Sequence, residues 1–222
     1  MSSLSFLSKV KICGLTRVED VQNAIGSGAD FLGFIIEANS PRRISVAEAK
    51  LLFTPSKGLV KRVAVTVNAS DELLDAIAQN LEPDFVQFHG DETVERLAMV
   101  SKRYDFGLIK AVPIVTDEDM KSAGEYAGIV DFLLFDAKPP KGSHVRGGHG
   151  VTLDWDIIAR APTPKTFALA GGLNADTVKD AIAKTKAPIL DVSSGVENAP
   201  GVKDKAKIEA FMRAVKSNQY IY

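Results

Sequence analysis

The chain has 222 residues, 45% of them hydrophobic and 25% charged, with 27 basic side chains against 28 acidic ones. That mixture belongs to an ordinary packed globular protein, and the near cancellation of charge gives no support to nucleic acid or another polyanion as a partner. A single cysteine excludes an internal disulfide and a cysteine-built zinc site and suits a reducing compartment. The leader MSSLSFLS lacks a basic start and a long apolar run, and no later segment approaches the roughly 20 apolar residues of a membrane span, so a soluble, cytoplasmic protein with no membrane partner is expected.

Read from the N-terminus, short β-type runs alternate with helix-type runs. VKICGL precedes VEDVQNAIGSG, and FLGFII precedes SVAEAKLLF, where Ser45 is a natural N-cap. RVAVTV precedes SDELLDAIAQNL, FVQFHG precedes ETVERLAMVSKRY, and LIKAV precedes DEDMKSAGEYA; acidic or hydroxyl residues open each of these helices, as the dipole favours. DFLLFDA precedes a glycine-rich loop and LDWDIIARA, TFALAGG precedes NADTVKDAIAK, and PILDVSSG precedes a loop and KDKAKIEAFMRAVKS. Roughly eight β-then-α units at a spacing of roughly 28 residues predict an α/β fold of the (β/α)8 TIM-barrel kind.

An open, doubly wound sheet alternates strands and helices too. Against it, CGLTRVED after the first strand supplies one glycine rather than a dinucleotide fingerprint, and Lys11 and Lys110 lie within apolar strands, where a closed barrel gives them an interior or a rim to face. No linker divides the chain. The expectation is one barrel domain over residues 1–222, with a short N-terminal extension over 1–8 and an active-site lid over 137–153, the Pro/Gly-rich insertion after one strand.

Chemistry in such a barrel sits at the carboxyl ends of the strands. The side chains closing the β-runs there are Cys13, Arg42, His89, Asp136 and Asp191, with glycines and serines in Gly171, Gly172, Ser193, Ser194 and Gly195. Asp136, ending FLLF at the rim of an apolar core, suits a general acid; an N-cap or an ion pair is the plainer alternative. Cys13 is either a buried filler or a thiolate base favoured by a nearby cation. Arg42, after Ser40-Pro41, suits a planar carboxylate held by two parallel hydrogen bonds, although Arg43 beside it offers the same group and a solvated surface arginine fits as well. His89 can touch a substrate or satisfy a neighbouring carbonyl. The Gly/Ser loops after the seventh and eighth strands match the usual phosphate site of these barrels, which predicts a small phosphorylated substrate. His144 and His149 share a loop with no third ligand at metal spacing, so no metal site is expected.

With these residues in view, VKICGLT, ADFLGFI, SPRRIS, FVQFHGDE, LLFDA, the run through GGHG to LDW, ALAGGLN and DVSSGVE together resemble the phosphoribosylanthranilate isomerase family of tryptophan biosynthesis over nearly the whole chain. The resemblance implies a cofactor-free Amadori rearrangement of N-(5-phosphoribosyl)anthranilate to 1-(2-carboxyphenylamino)-1-deoxyribulose 5-phosphate. It places Asp136 on the family's acid, Cys13 on its base and Arg42 on the arginine that holds the anthranilate carboxylate. Gly171, Gly172, Ser193, Ser194 and Gly195 fall on the phosphate loops and Asp191 near the sugar hydroxyls; His89 is kept as a candidate substrate contact on its place at the rim. A monomer or homodimer is expected. The sister isomerase of histidine biosynthesis resembles this family but carries aspartate where Cys13 stands, and a catalytically silent phosphate-binding barrel would be expected to have lost Cys13, Asp136 or Arg42. Two departures stand out: His149 replaces a usual hydroxyl residue in HVRGGHG, and Thr66 in VAVTVN has no assigned role.

Overall fold

The computed structural model describes residues 8–137 and 154–217. Eight βα units follow one another: β1 (Lys9–Cys13), α1 (Val18–Ser27), β2 (Phe31–Ile36), α2 (Val46–Phe53), β3 (Lys61–Thr66), α3 (Asp71–Leu81), β4 (Phe85–Phe88), α4 (Val94–Arg103), β5 (Gly107–Ile114), α5 (Asp117–Gly124), β6 (Phe132–Ala137), α6 (Trp155–Arg160), β7 (Phe167–Leu169), α7 (Val178–Thr185), β8 (Ile189–Val192) and α8 (Lys205–Ser217). Each strand pairs in parallel with the next, and β1 pairs with both β2 and β8, which closes the barrel. No described helix is long and apolar enough to cross a membrane. His144 and His149, and all of the expected lid except Ala137, lie outside the described residues. Ser8, the last residue of the expected extension, is buried and donates to the Ala187 carbonyl at 2.8 Å, so it belongs to the barrel floor.

Local chemistry explains the helix starts. Ser45 and Glu48 form a reciprocal capping box on α2, as do Thr116 and Asp119 on α5, while Ser70 and Thr93 cap α3 and α4. Asp154 accepts from the Asp156 amide, which starts α6 at Trp155. Asn174 accepts from the amides of Asp176 and Thr177, holding NADT as a turn so that α7 begins only at Val178. The segment between β8 and α8, read from sequence as a loop, contains an antiparallel hairpin of Glu197–Ala199 with Val202–Lys203. The pairs are short and charged, so no period-2 apolar signal announced them.

Strand alternation determines what fills the barrel. Phe31, Phe85 and Phe132 meet with ring centroids 5.6–6.2 Å apart, and Ile189 completes this lowest layer from the even strands β2, β4, β6 and β8. The next layer, from odd strands, brings Lys11, Val63, Ile109 and Ala168; above it come Gly33, Gln87, Leu134 and Asp191, and then Cys13, Val65, Ala111 and Ala170. The barrel is therefore apolar at its floor and carries its buried polar groups, Lys11, Gln87 and Asp191, in the two middle layers beneath Cys13. Lys11 is fully buried there, and its ammonium donates to Asp191 Oδ1 at 2.8 Å. Removing one member of such a pair leaves an uncompensated buried charge. Lys11→Met should cost about 3–5 kcal/mol of stability, and Lys11→Met/Asp191→Asn should recover much of it. Urea unfolding of the three proteins checks this.

Candidate active site

Cys13 closes β1 and is followed by Gly14 at φ 76°, a left-handed turn in which a side chain would also strike the Arg42 Cδ. The glycine thus lets the chain leave β1 sharply and lets Arg42 pack over the thiol's strand end. Gly33 does the same from β2: a Cβ there would lie 2.8 Å from Cys13 Sγ and 2.9 Å from Lys11 Nζ. Thiol and ammonium share the space that this glycine leaves. Burial pushes the Cys13 thiol up, Lys11 and Lys203 pull it down and Asp191 pushes it up again; burial prevails, so the thiol ionises above its ordinary range. A nearby cation is present, as expected for a thiolate base, yet it offsets only part of the cost of burial.

Arg42 is buried, which removes the reading of a solvated surface arginine, whereas Arg43 beside it is exposed. Its Nε and Nη2 donate to the two carboxylate oxygens of Glu197 at 2.8 and 2.7 Å. Lys203, fully buried, donates to the same carboxylate at 2.7 Å and to Ser193 Oγ at 3.3 Å. Burial alone would push the Glu197 carboxyl up, but Arg42 and Lys203 hold it below the usual range. The hairpin after β8 therefore braces the Arg42 guanidinium and the Ser193 turn together. Glu197 and Lys203 were not picked out from sequence; they are the buried residues of a hairpin that is otherwise partly or fully exposed and has no sequence signal of its own.

Asp136, near the end of β6, is buried, and its Oδ1 accepts from the Ala137 amide at 2.8 Å. Its Oδ2 stands 3.4 Å from His89 Nε2, so these two rim residues form one unit. The loop carrying His89 is tightly held: the Lys110 ammonium donates to the Gly90 carbonyl at 2.7 Å and to Glu92 at 2.8 Å, and Glu92 accepts from the Gly90 amide. Lys110, between the inward-facing Ile109 and Ala111, thus turns to the loop at the rim rather than into the interior, one of the two directions its place in an apolar strand left open. Thr66 gains a part as well, since its carbonyl accepts from the His89 amide at 2.8 Å. Asp191 is occupied on Oδ1 by Lys11, and both sit in the interior beneath Cys13.

On the far side of the mouth, Gly171 and Gly172 both take positive φ, 85° and 72°, and a Cβ on Gly195 would run into the Leu173 carbonyl. The two Gly/Ser loops are therefore pressed together after β7 and β8, with Ser194–Val196 forming a single 3-10 turn. Among the described residues, no group of three or more His, Cys, Asp or Glu side chains could hold a metal ion.

Fold and geometry define a (β/α)8 barrel with a thiol, a carboxyl–imidazole pair and a braced guanidinium at its carboxyl mouth, facing paired glycine-rich loops. A family model described as N-(5'phosphoribosyl)anthranilate (PRA) isomerase matches residues 10–214, and the chain belongs to that family. N-(5'-phosphoribosyl)anthranilate isomerase of Mesorhizobium japonicum is 46% identical over 208 residues, covering 94% of this chain and 95% of the relative. The crystal structure of phosphoribosyl anthranilate isomerase from Thermotoga maritima has 36% identity and a TM-score of 0.86, covering 95% of this chain and 100% of that one. A third structure, of phosphoribosyl anthranilate isomerase in complex with reduced 1-(o-carboxyphenylamino)-1-deoxyribulose 5-phosphate, has 33% identity and a TM-score of 0.80, again covering 95% and 100%.

Proposed function

We propose that the rearrangement carried out by this isomerase runs between Asp136 and Cys13, with Arg42 and the two glycine-rich loops as the anchors of the substrate's ends. N-(5-phosphoribosyl)anthranilate carries a carboxylate on its ring and a phosphate on its sugar. Arg42 and the loops of Gly171, Gly172, Ser193, Ser194 and Gly195 offer a cation and backbone donors for these two groups, and the barrel brings early and late loops round one mouth. Arg42 uses Nε and Nη2 on Glu197, so its remaining N–H groups are the ones for the carboxylate.

Asp136 protonates the furanose ring oxygen, and the ring opens to a protonated Schiff base. Cys13 takes the proton from the neighbouring carbon, and the resulting enolamine tautomerises to the ketoamine. The observation that carries this reading is the environment of Cys13, a buried thiol beside the Lys11 ammonium at the end of β1. Its ionisation is costly before the reaction begins, and the positive charge on the Schiff base lowers that cost at the moment the base is needed. Asp191, whose Oδ1 accepts from Lys11, offers its Oδ2 to a sugar hydroxyl in this reading. The active unit is a monomer or homodimer in which every candidate residue comes from one chain, in a reducing cytoplasm that keeps the lone thiol reduced.

The test is decay of anthranilate fluorescence with freshly generated N-(5-phosphoribosyl)anthranilate, beside the same compound without its phosphate. Rapid decay with the first and a KM raised about a hundredfold or more with the second supports the reading. Equal turnover of both contradicts the phosphate assignment. Arg42→Ala removes a charged hydrogen bond and should raise KM by about tenfold to a hundredfold, on the order of 1.5–3 kcal/mol, with kcat changed far less.

A further inference from the structure

Gln87 lies in the barrel interior directly below His89 on the same face of β4, buried to 1% exposure. Its Nε2 is 3.2 Å from His89 Nδ1, and on the other side of the imidazole Nε2 is 3.4 Å from Asp136 Oδ2. In this arrangement Gln87 donates to Nδ1, which leaves the imidazole proton on Nε2, the ring nitrogen on the Asp136 side. The Gln87 Oε1 atom is buried and has no hydrogen-bond partner among the described residues, a costly position for an amide carbonyl inside a protein. Turning the amide by half a rotation about its last bond brings that oxygen to Nδ1. It then accepts from an Nδ1–H, and the bare Nε2 accepts in turn from the O–H of a protonated Asp136.

We propose that Gln87 is a positioning residue that matches His89 to both protonation states of Asp136. With its carbonyl turned to the ring it holds the Nδ1–H tautomer and keeps the proton on the acid before ring opening. With its amino group turned to the ring it holds the Nε2–H tautomer, which hydrogen-bonds the carboxylate left behind. The interconversion leaves the imidazole with one proton: Nε2 takes a proton from water at the mouth to give the imidazolium, and Nδ1 gives up its own to water after the ring, 18% exposed, turns away from Gln87. The proposal rests on Asp136 being the acid.

Other described groups on the surrounding elements do not supply this control. Lys110 of β5 and Glu92 of the loop after β4 pair with each other at 2.8 Å, Thr66 of β3 is uncharged, and β7 presents Ala168 and Ala170. Beside Asp136 itself, β6 carries Leu134 and no second titratable group.

The test combines nitrogen-15 spectra of the histidine side chains with pH–rate profiles. His89 is one of three histidines, assigned by its loss in His89→Asn. In wild type the His89 signals should change from the Nδ1–H to the Nε2–H pattern in step with the titration of Asp136. Gln87→Leu should abolish that coupling and lower kcat about tenfold, with KM within about threefold. Gln87→Glu, which only accepts at Nδ1, should keep the Nδ1–H tautomer to higher pH and move the alkaline limb of kcat upward, whereas Gln87→Leu moves it downward. A purely structural Gln87 would lower the melting temperature in both variants and leave the limbs and the His89 pattern unchanged, which overturns the proposal. If the variants do not fold, wild-type spectra still decide: one fixed tautomer across the titration overturns it. Asp136→Asn keeps the two failures apart, because full turnover in that variant removes the acid assignment itself, whereas its inactivity beside unaltered Gln87 profiles removes only the role of Gln87.

Discussion

Cys13→Ala should lower kcat by about a thousandfold, within the 10²–10⁴ range of a lost general base, while KM stays within a few-fold of wild type. The reason is positional. In the proposed reaction the thiol serves the reacting carbon and anchors neither charged end of the substrate, so its loss falls on proton transfer. Packing gives the opposite expectation: a small buried hydrophobe replaced by alanine costs little beyond a minor cavity, and activity would survive. The ionisation of the thiol can be followed on its own because the chain has one cysteine. Burial outweighs the pull of Lys11, so the thiol is held above its ordinary range. For an acid that is neutral when protonated, a raised value means that the thiolate appears at higher pH than in a free thiol. Alkylation of Cys13 by iodoacetamide should therefore climb roughly tenfold per pH unit and level off later than that of the urea-unfolded chain. A plateau reached at or below neutral pH would contradict this account of the site.

Asp136→Asn should be the more severe change. An amide of nearly the same shape keeps the packing at the end of β6 and the hydrogen bond that the side-chain oxygen accepts from the Ala137 amide, but it has no acidic proton for the ring oxygen. Ring opening precedes every later step, so no alternative base or charge rescues it. We expect turnover to fall by about 10³–10⁴, at the upper end of what proton transfer by a side chain supplies, with substrate binding retained. Single-turnover kinetics with enzyme in excess separates the two effects: the bound complex forms, and its anthranilate fluorescence persists.

The barrel was legible because eight short apolar runs are each followed by a helix-type run, and each of the eight barrel strands overlaps its expected run, with ends that differ by up to three residues. Cys13, Asp136 and Arg42 were legible for a related reason, since each ends or closely follows a strand and so comes to the mouth. What strand ends cannot reveal is the layer beneath. Lys11 stands two residues before Cys13 and therefore on the same face, which was a usable sign that it points inward, but its pairing with Asp191 spans 180 positions and depends on closure of the barrel. Gln87 stands in the same relation to His89, and an isolated glutamine in a strand carries no signature of its own. Glu197 and Lys203 act across a hairpin too short and too charged to register as strands. Arg42 was expected over the mouth and proves to be buried against Glu197, because Gly14 leaves the room for it.

The most direct test of the central claim is the fluorescence decay of freshly generated N-(5-phosphoribosyl)anthranilate with the wild-type chain, run beside Asp136→Asn at equal concentration and matched melting temperature. Rapid decay with wild type and none above the uncatalysed rate with the variant is the predicted result. A folded Asp136→Asn protein that matches the wild-type decay would contradict the assignment of acid and base at this mouth.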